Sequence, residues 1–221
     1  MKLILLANII TCLCALIGFI YGINKFFQPK KAVYAQMVTL AAGCMAFGRL
    51  YQVVRILTQG DILNGFQLGV LGIIGSLLFF FSAGFGLMDS LADDGTKKYA
   101  KYRLISLAAP CVAAIIYVVF IAFADISVFE KIMGAVITAF AMATSYFNLK
   151  HIIFPDVDFG VIKCLKQYNA LVLVYSYLCI CEFVAISRDS NIFIFITGVL
   201  MGVILLLIVP TVERGIKKWT A

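Results

Sequence analysis

Two residues of this sequence carry charge deep inside long apolar runs, Arg49 and Glu182. A charge at the centre of a membrane helix costs about 2.5–3.5 kcal/mol on insertion scales. Such a residue needs a partner or a task. A guanidinium offers five donors and a carboxylate only acceptors, so the two are chemically complementary. Arg49 lies about four residues past the middle of its run and Glu182 about five past the middle of its own, on the same side, roughly 6–8 Å from the bilayer centre at ~1.5 Å per residue. Equal depth and opposite sign predict an ion pair in which each relieves the other's desolvation.

The neighbours extend the polarity. Gln52 follows Arg49 by three residues and precedes Arg55 by three, which places it between the arginines on one helix surface. Gln67 falls in the outer part of the next run. Tyr168, Tyr175 and Glu182 recur every seven residues, as do Lys131, Thr138 and Ser145. These spacings predict a polar seam that widens toward one side of the membrane. Two functions are consistent with it. In one, Arg49, Gln52, Arg55, Gln67, Tyr175 and Glu182 line a pocket for a small polar or anionic solute entering from outside, in a sensor or a carrier. The arginines attract the solute, the glutamines orient it, and Glu182 pairs with Arg49 or binds a coupling proton. Two arginines against one glutamate favour an anion. In the other, Arg49–Glu182 is a structural pair in an accessory membrane subunit.

A third reading rests on Asp89-Ser90-Leu91-Ala92-Asp93-Asp94-Gly95. Asp89, Asp93 and Asp94 near a membrane surface are weak candidates to hold Mg²⁺ against a phosphate. The run partly resembles the aspartate motif of the membrane phosphatidyl-alcohol transferases, which implies a metal-dependent, lipid-active enzyme. It departs from that motif in having Thr96-Lys97-Lys98 where Ala-Arg follows the glycine, and no second aspartate pair follows. The alternative is a solvated loop whose carboxylates offset Lys97, Lys98 and Lys101. No catalytic residue is assigned and no cofactor is expected. His151 is the single histidine, too few for a zinc hydrolase. Ser145 lies six residues before it and points elsewhere. No phosphate-binding loop or Gly-x-Ser-x-Gly occurs. A retinal lysine is missing from the last run, because Lys217 and Lys218 fall beyond it, and so is the proline-glutamine signature of small sugar carriers.

The elements that must position these residues follow from hydrophobicity. Of 221 residues, 63% are hydrophobic and 13% charged, with a mean hydropathy of +1.05. Lipid is the only solvent that suits so much apolar surface. A bilayer core needs about 20 apolar residues per helix. Seven runs qualify, at about 3–24, 32–57, 62–88, 103–124, 128–150, 166–187 and 191–212. Their continuous apolarity favours helices over a barrel, whose strands alternate. The expected fold is one all-α domain of seven transmembrane helices.

Charge sets the expected orientation. Thirteen Lys and Arg residues fall on one side, including Lys25, Lys97, Lys98, Arg103, Lys150 and Lys217, and four on the other: Lys2, Arg55, Lys131 and Arg188. The richer side is expected to be cytoplasmic. This puts the N-terminus outside and the C-terminus inside, in a multi-pass protein of the plasma membrane. The net charge of +7 therefore reflects topology, and no nucleic-acid partner is expected. The expected partners are the bilayer, the solute, and a membrane or cytoplasmic protein. The run Leu3–Ile23 is too long for a signal peptide and lacks a cleavage site, so it counts as a span. Gly65, Gly69, Gly72 and Ser76 form a small-residue stripe, with Gly18/Gly22 and Gly198/Gly202 repeating the spacing, as close helix contacts require. The cysteines, six of them within apolar runs, read as small packing residues. Pro110 and Pro210 mark expected bends.

Overall fold

The computed structural model describes residues 2–29, 31–60, 68–85, 89, 93, 95–155 and 161–220. Every regular element among them is helical. The helices are α1 (Lys2–Phe26), α2 (Val33–Gln59), α3 (Leu68–Ala83), α4 (Lys97–Ala122), α5 (Val128–Ile153), α6 (Val161–Ser187) and α7 (Asn191–Thr220). All but α3 are long and apolar enough to cross a membrane. α3 has 16 described residues, about 24 Å at ~1.5 Å per residue. Residues 62–67 and 86–88 of its expected span lie outside the described residues. The protein is a multi-pass helical membrane protein.

Local sequence explains several helix ends. Ser127 caps α5 by accepting from the Glu130 N–H at 3.2 Å, while the Ser127 N–H donates back to the Glu130 carboxylate at 2.9 Å. This reciprocal box satisfies two of the donors that a helix start leaves open. Gly60 closes α2 with φ +71°, and its N–H reaches Ile56 O at 3.1 Å. A left-handed residue there is easiest for glycine.

Two boundaries differ most from the hydropathy reading. α4 starts at Lys97 rather than near 103, in a 3₁₀ turn Lys97–Tyr99. Charge ends an apolar window but not a helix, and Tyr99 and Tyr102 anchor this turn by packing on Phe154. The helix is interrupted at Leu107, between Ala100–Ser106 and Ala108–Tyr117. Pro110 lacks the N–H that would bond Ser106 O, so the ladder breaks one turn before it. α4 ends in a π-helical turn, Val118–Ala122. α7 continues through Pro210 to Thr220, well past 212.

Neighbouring contacts close six helices into a ring in the order α1, α2, α3, α5, α6, α7 and back to α1. α4 stands outside it, mainly against α5. Leu104, Ile115 and Phe120 of α4 are exposed, as expected of side chains facing lipid. α1 and α7 run parallel, since Thr11 donates to Gly198 O and Tyr21 to Glu213. α1 and α2 run antiparallel, with Asn8 beside Arg49 and Gly22 beside Thr39. The interior is filled by Met45, Ile73, Leu77, Phe80, Ile137, Val172, Met201 and Leu205, nearly all inaccessible.

Glycine sets the closest approach. A Cβ on Gly48 of α2 falls 2.8 Å from Gly72 Cα, and one on Gly72 falls 2.8 Å from Cys44 O. Both obstructions are backbone, so neither can yield without the helices separating. Lipid offers no hydrophobic drive between helices, and close packing supplies the attraction instead. Gly48→Ala and Gly72→Ala are each expected to lower stability by about 1–3 kcal/mol, read as a fall in melting temperature in detergent. Leu71→Ala on the exposed face of α3 should change it by no more than about 0.5 kcal/mol.

Candidate functional site

α2 and α6 are not ring neighbours, yet a charge pair links them across the interior. Arg49 Nη2 donates to Glu182 Oε2. Arg49 Nη1 donates to Asn8 Oδ1 of α1 at 3.0 Å and to Gln52 Oε1, one turn along α2, at 2.9 Å. Arg49 is 2% exposed and Glu182 1%. Three helices therefore supply acceptors to one guanidinium, as a buried charge demands. Asn8 is fixed in turn by donating its Nδ2 to Ile4 O at 2.9 Å. Gln52 fits because α3 presents Gly69 opposite it, where a Cβ would lie 2.4 Å from Gln52 Cγ.

Arg49 Nε is buried and has no hydrogen-bond partner. Three of the five N–H groups of the guanidinium are thus bonded, two on Nη1 and one on Nη2. The cluster lies nearer the lysine-poor end. Ten residues separate Arg49 from the end of α2 and sixteen from its start, roughly 15 and 24 Å. Toward the lysine-rich end the buried interior mixes the apolar Val38, Phe80, Val172, Leu205 and Ile208 with the polar Thr39, Tyr168 and Asn169.

The remaining candidates are placed as follows. Tyr175 is fully buried one layer away on α6, its hydroxyl 2.7 Å from Ser76 Oγ and its ring edge-on to Phe80. Arg55 is half-buried further along α2. Gln67 lies outside the described residues. Tyr168 faces inward on α6 with an unpartnered hydroxyl. Thr138 and Ser145 of α5 bond their own helix and do not join the cluster. Asn8 is the member that hydropathy reading passes over, because an uncharged residue leaves an apolar run intact. The available signal is a carboxamide within the first two turns of a span, at the depth of Arg49.

A second, partly buried cluster lies at the lysine-rich end. Asp93 accepts two bonds from Arg103, Nε to Oδ2 and Nη2 to Oδ1, each 2.6 Å. Lys150 Nζ lies 2.7 Å from Asp89 Oδ1 and 2.8 Å from Asp93 Oδ2. Gly95, at φ +78°, turns its N–H onto Asp93 Oδ1 at 3.0 Å. His151 Nε2 is 3.4 Å from Asp89 Oδ1 and its Nδ1 is unpartnered. The expectation of a solvated loop paired with Lys97, Lys98 and Lys101 is corrected here. The partners are Arg103 and Lys150, brought in by the early start of α4 and the end of α5, and Lys150 is buried while Asp93 is partly so. Asp94 lies outside the described residues. Among those described, no three His, Cys, Asp or Glu side chains converge as a metal site. Asp89 and Asp93 already face cations.

Comparison of the chain with protein-family models, curated proteins and solved structures finds no match.

The Asp93 carboxyl is held well below its ordinary value by the Arg103 hydrogen bonds, against burial and with help from Lys150. For Asp89, burial pushes the carboxyl up, but the bonds from His151 and Lys150 outweigh it and bring it down. A depressed folded value means that ionised carboxylate stabilises the fold. That stabilisation is complete above the ordinary value of 3.8 and drains away as pH falls below it. Asp93→Asn is expected to cost about 1.5–3 kcal/mol at neutral pH. Its melting temperature should fall less steeply than wild type between about pH 5 and 3. Parallel slopes for the two proteins would show that Asp93 is not coupled to the fold.

Proposed function

We propose that the protein binds a small polar or anionic solute at the Arg49–Glu182 cluster, entered from the lysine-poor side, as a sensor or a carrier. The observation that supports this is the partnerless Nε of a buried arginine whose Nη1 and Nη2 are already engaged. Stability alone is a poor reason to keep such a pair, because well-packed apolar residues of similar volume serve it as well or better. An intramembrane charge marks a solute or ion site by default. The position of the cluster agrees, because Arg49 lies nearer the lysine-poor end of α2. By the lysine and arginine distribution that end faces outside, the N-terminus is outside and the C-terminus cytoplasmic. The plasma membrane is the location that suits a solute taken from outside.

A second reading, an accessory subunit in which the cluster is only a clasp, is favoured by the supply of acceptors from α1, α2 and α6. The two separate in a melting experiment. Purified protein is screened in detergent against small organic and inorganic anions and neutral polar metabolites, beside Arg49→Lys. A solute in the site stabilises by about 2.7 kcal/mol at a hundred times its dissociation constant. The expected result is a concentration-dependent rise in melting temperature that Arg49→Lys loses. No stabilising solute, with Arg49→Lys melting far below wild type, assigns the cluster to the clasp. For a bound solute, uptake by the pure protein in liposomes identifies a carrier, and co-purification of a signalling protein identifies a sensor.

A further inference from the structure

α1 and α7 meet along a seam that the rest of the ring leaves uncovered. Gly18 lets them close, since a Cβ there would fall 2.8 Å from Leu205 O. Of the described helices only α4 lies outside the ring, and it stands against α5. Ile17 of α1 and Val203 and Leu207 of α7 are exposed beside the seam. An apolar strip of this kind at membrane depth faces acyl chains. Val203 lies ten residues before Glu213, about 15 Å along the helix, which is half of a hydrocarbon core about 30 Å thick.

The strip ends on charge at the lysine-rich end. Glu213 Oε1 lies 2.9 Å from Lys217 Nζ and 3.9 Å from Lys25 Nζ, and Tyr21 donates its hydroxyl to Glu213 Oε2. One carboxylate thus gathers side chains from both helices. Arg214 is a further charged group near Tyr21. Leu207, Arg214 and Lys218 stand seven and four residues apart, on one face of α7. The side chains of Lys25 and Lys217 are 49% and 73% accessible, and Arg214 and Lys218 are exposed.

The charges here do not balance. Glu213 is the only acid in α1 or α7, and Lys25, Arg214, Lys217 and Lys218 stand at the same end. Three positive charges are left over. At 3.9 Å Lys25 is too far to hydrogen-bond Glu213, so its N–H groups are not spent there. Orientation in the membrane asks for cations on this side. It does not ask for four of them on two touching helices beside one carboxylate.

We propose that the α1–α7 seam binds one anionic phospholipid at the lysine-rich end. Its phosphate takes charge-assisted hydrogen bonds from Lys25, Arg214 and Lys217, and its acyl chains lie along Ile17, Val203 and Leu207. A free anion gains only the first of these contacts. A zwitterionic lipid brings its own ammonium to a place with surplus cations, so it gains less than an anionic one. Glu213 positions the two lysines and leaves the surplus for the headgroup. The site shares no residue with the Arg49 cluster.

Native mass spectrometry of the full chain in detergent counts bound lipid directly, with phosphatidylglycerol and phosphatidylcholine of the same acyl chains as probes. The first phosphatidylglycerol is expected to bind about tenfold tighter than the first phosphatidylcholine. Lys25→Gln with Lys217→Gln should cut that preference to about twofold or less. Lys97→Gln with Lys98→Gln removes the same charge from exposed positions on the same side, at the start of α4, and should leave the preference intact. Equal losses in the two double variants mean that only general surface charge is at work, and overturn the site. So does a wild-type protein that does not distinguish the two lipids. Glycerol phosphate that displaces phosphatidylglycerol as well as the lipid itself does would make this a free-anion site and overturn the lipid assignment. Should the Lys25/Lys217 variant fail to fold, Arg214→Gln with Lys218→Gln takes its place, with the same expected loss.

Discussion

A guanidinium that never loses its proton and sits in the hydrocarbon layer has to be answered by acceptors from more than one helix. Arg49 imposes this on the bundle. Its own helix can offer Gln52, one turn away, but the countercharge comes from α6 and a further acceptor from α1. α2 must therefore face the interior at this level, with α1 beside it and α6 opposite. A ring of six helices meets that requirement, and the lipid-facing position of α4 follows from its having no part in it.

Small residues make the ring tight enough. Gly48 against Gly72 brings α2 and α3 to backbone contact, and Gly69 leaves the space that Gln52 occupies. Gly198 and Gly202 do the same for α1 and α7 beside Thr11. Polar side chains gather around Arg49, and the other half of the interior sets Val38, Phe80, Leu205 and Ile208 beside the buried Thr39, Tyr168 and Asn169. The Asp89, Asp93, Arg103, Lys150 and His151 cluster ties α5 to α4 and to the segment after α3 at the lysine-rich end. Each cluster matches carboxylates to cations, so neither end carries a buried charge alone.

Much of this was legible in the residues. Hydropathy located all seven helices, and depth with opposite sign paired Arg49 with Glu182. The small-residue stripe on α3 pointed to a close contact, though not to Gly48 as its counterpart, because a period says nothing about which helix lies opposite. Asn8 escaped notice since one carboxamide hardly lowers the hydropathy of α1. Asp93 was matched to the wrong cations. Its partners depend on α4 beginning within a charged stretch and on the end of α5 folding back to the same level, both products of tertiary packing. The helix ends at Lys97 and Thr220 were hidden for a related reason: the hydrocarbon boundary and the end of a helix are different things.

A double-mutant cycle on Arg49→Met and Glu182→Leu, followed by equilibrium unfolding in mixed micelles, tests the central constraint most directly. Each single change strands a buried charge, so each should cost about 3–5 kcal/mol. The double change removes both charges, and its cost should be far below the sum, with a coupling of about 2–3 kcal/mol or more. Small, additive losses would mean that Arg49 finds water or another anion without Glu182, and that the bundle does not depend on their pairing.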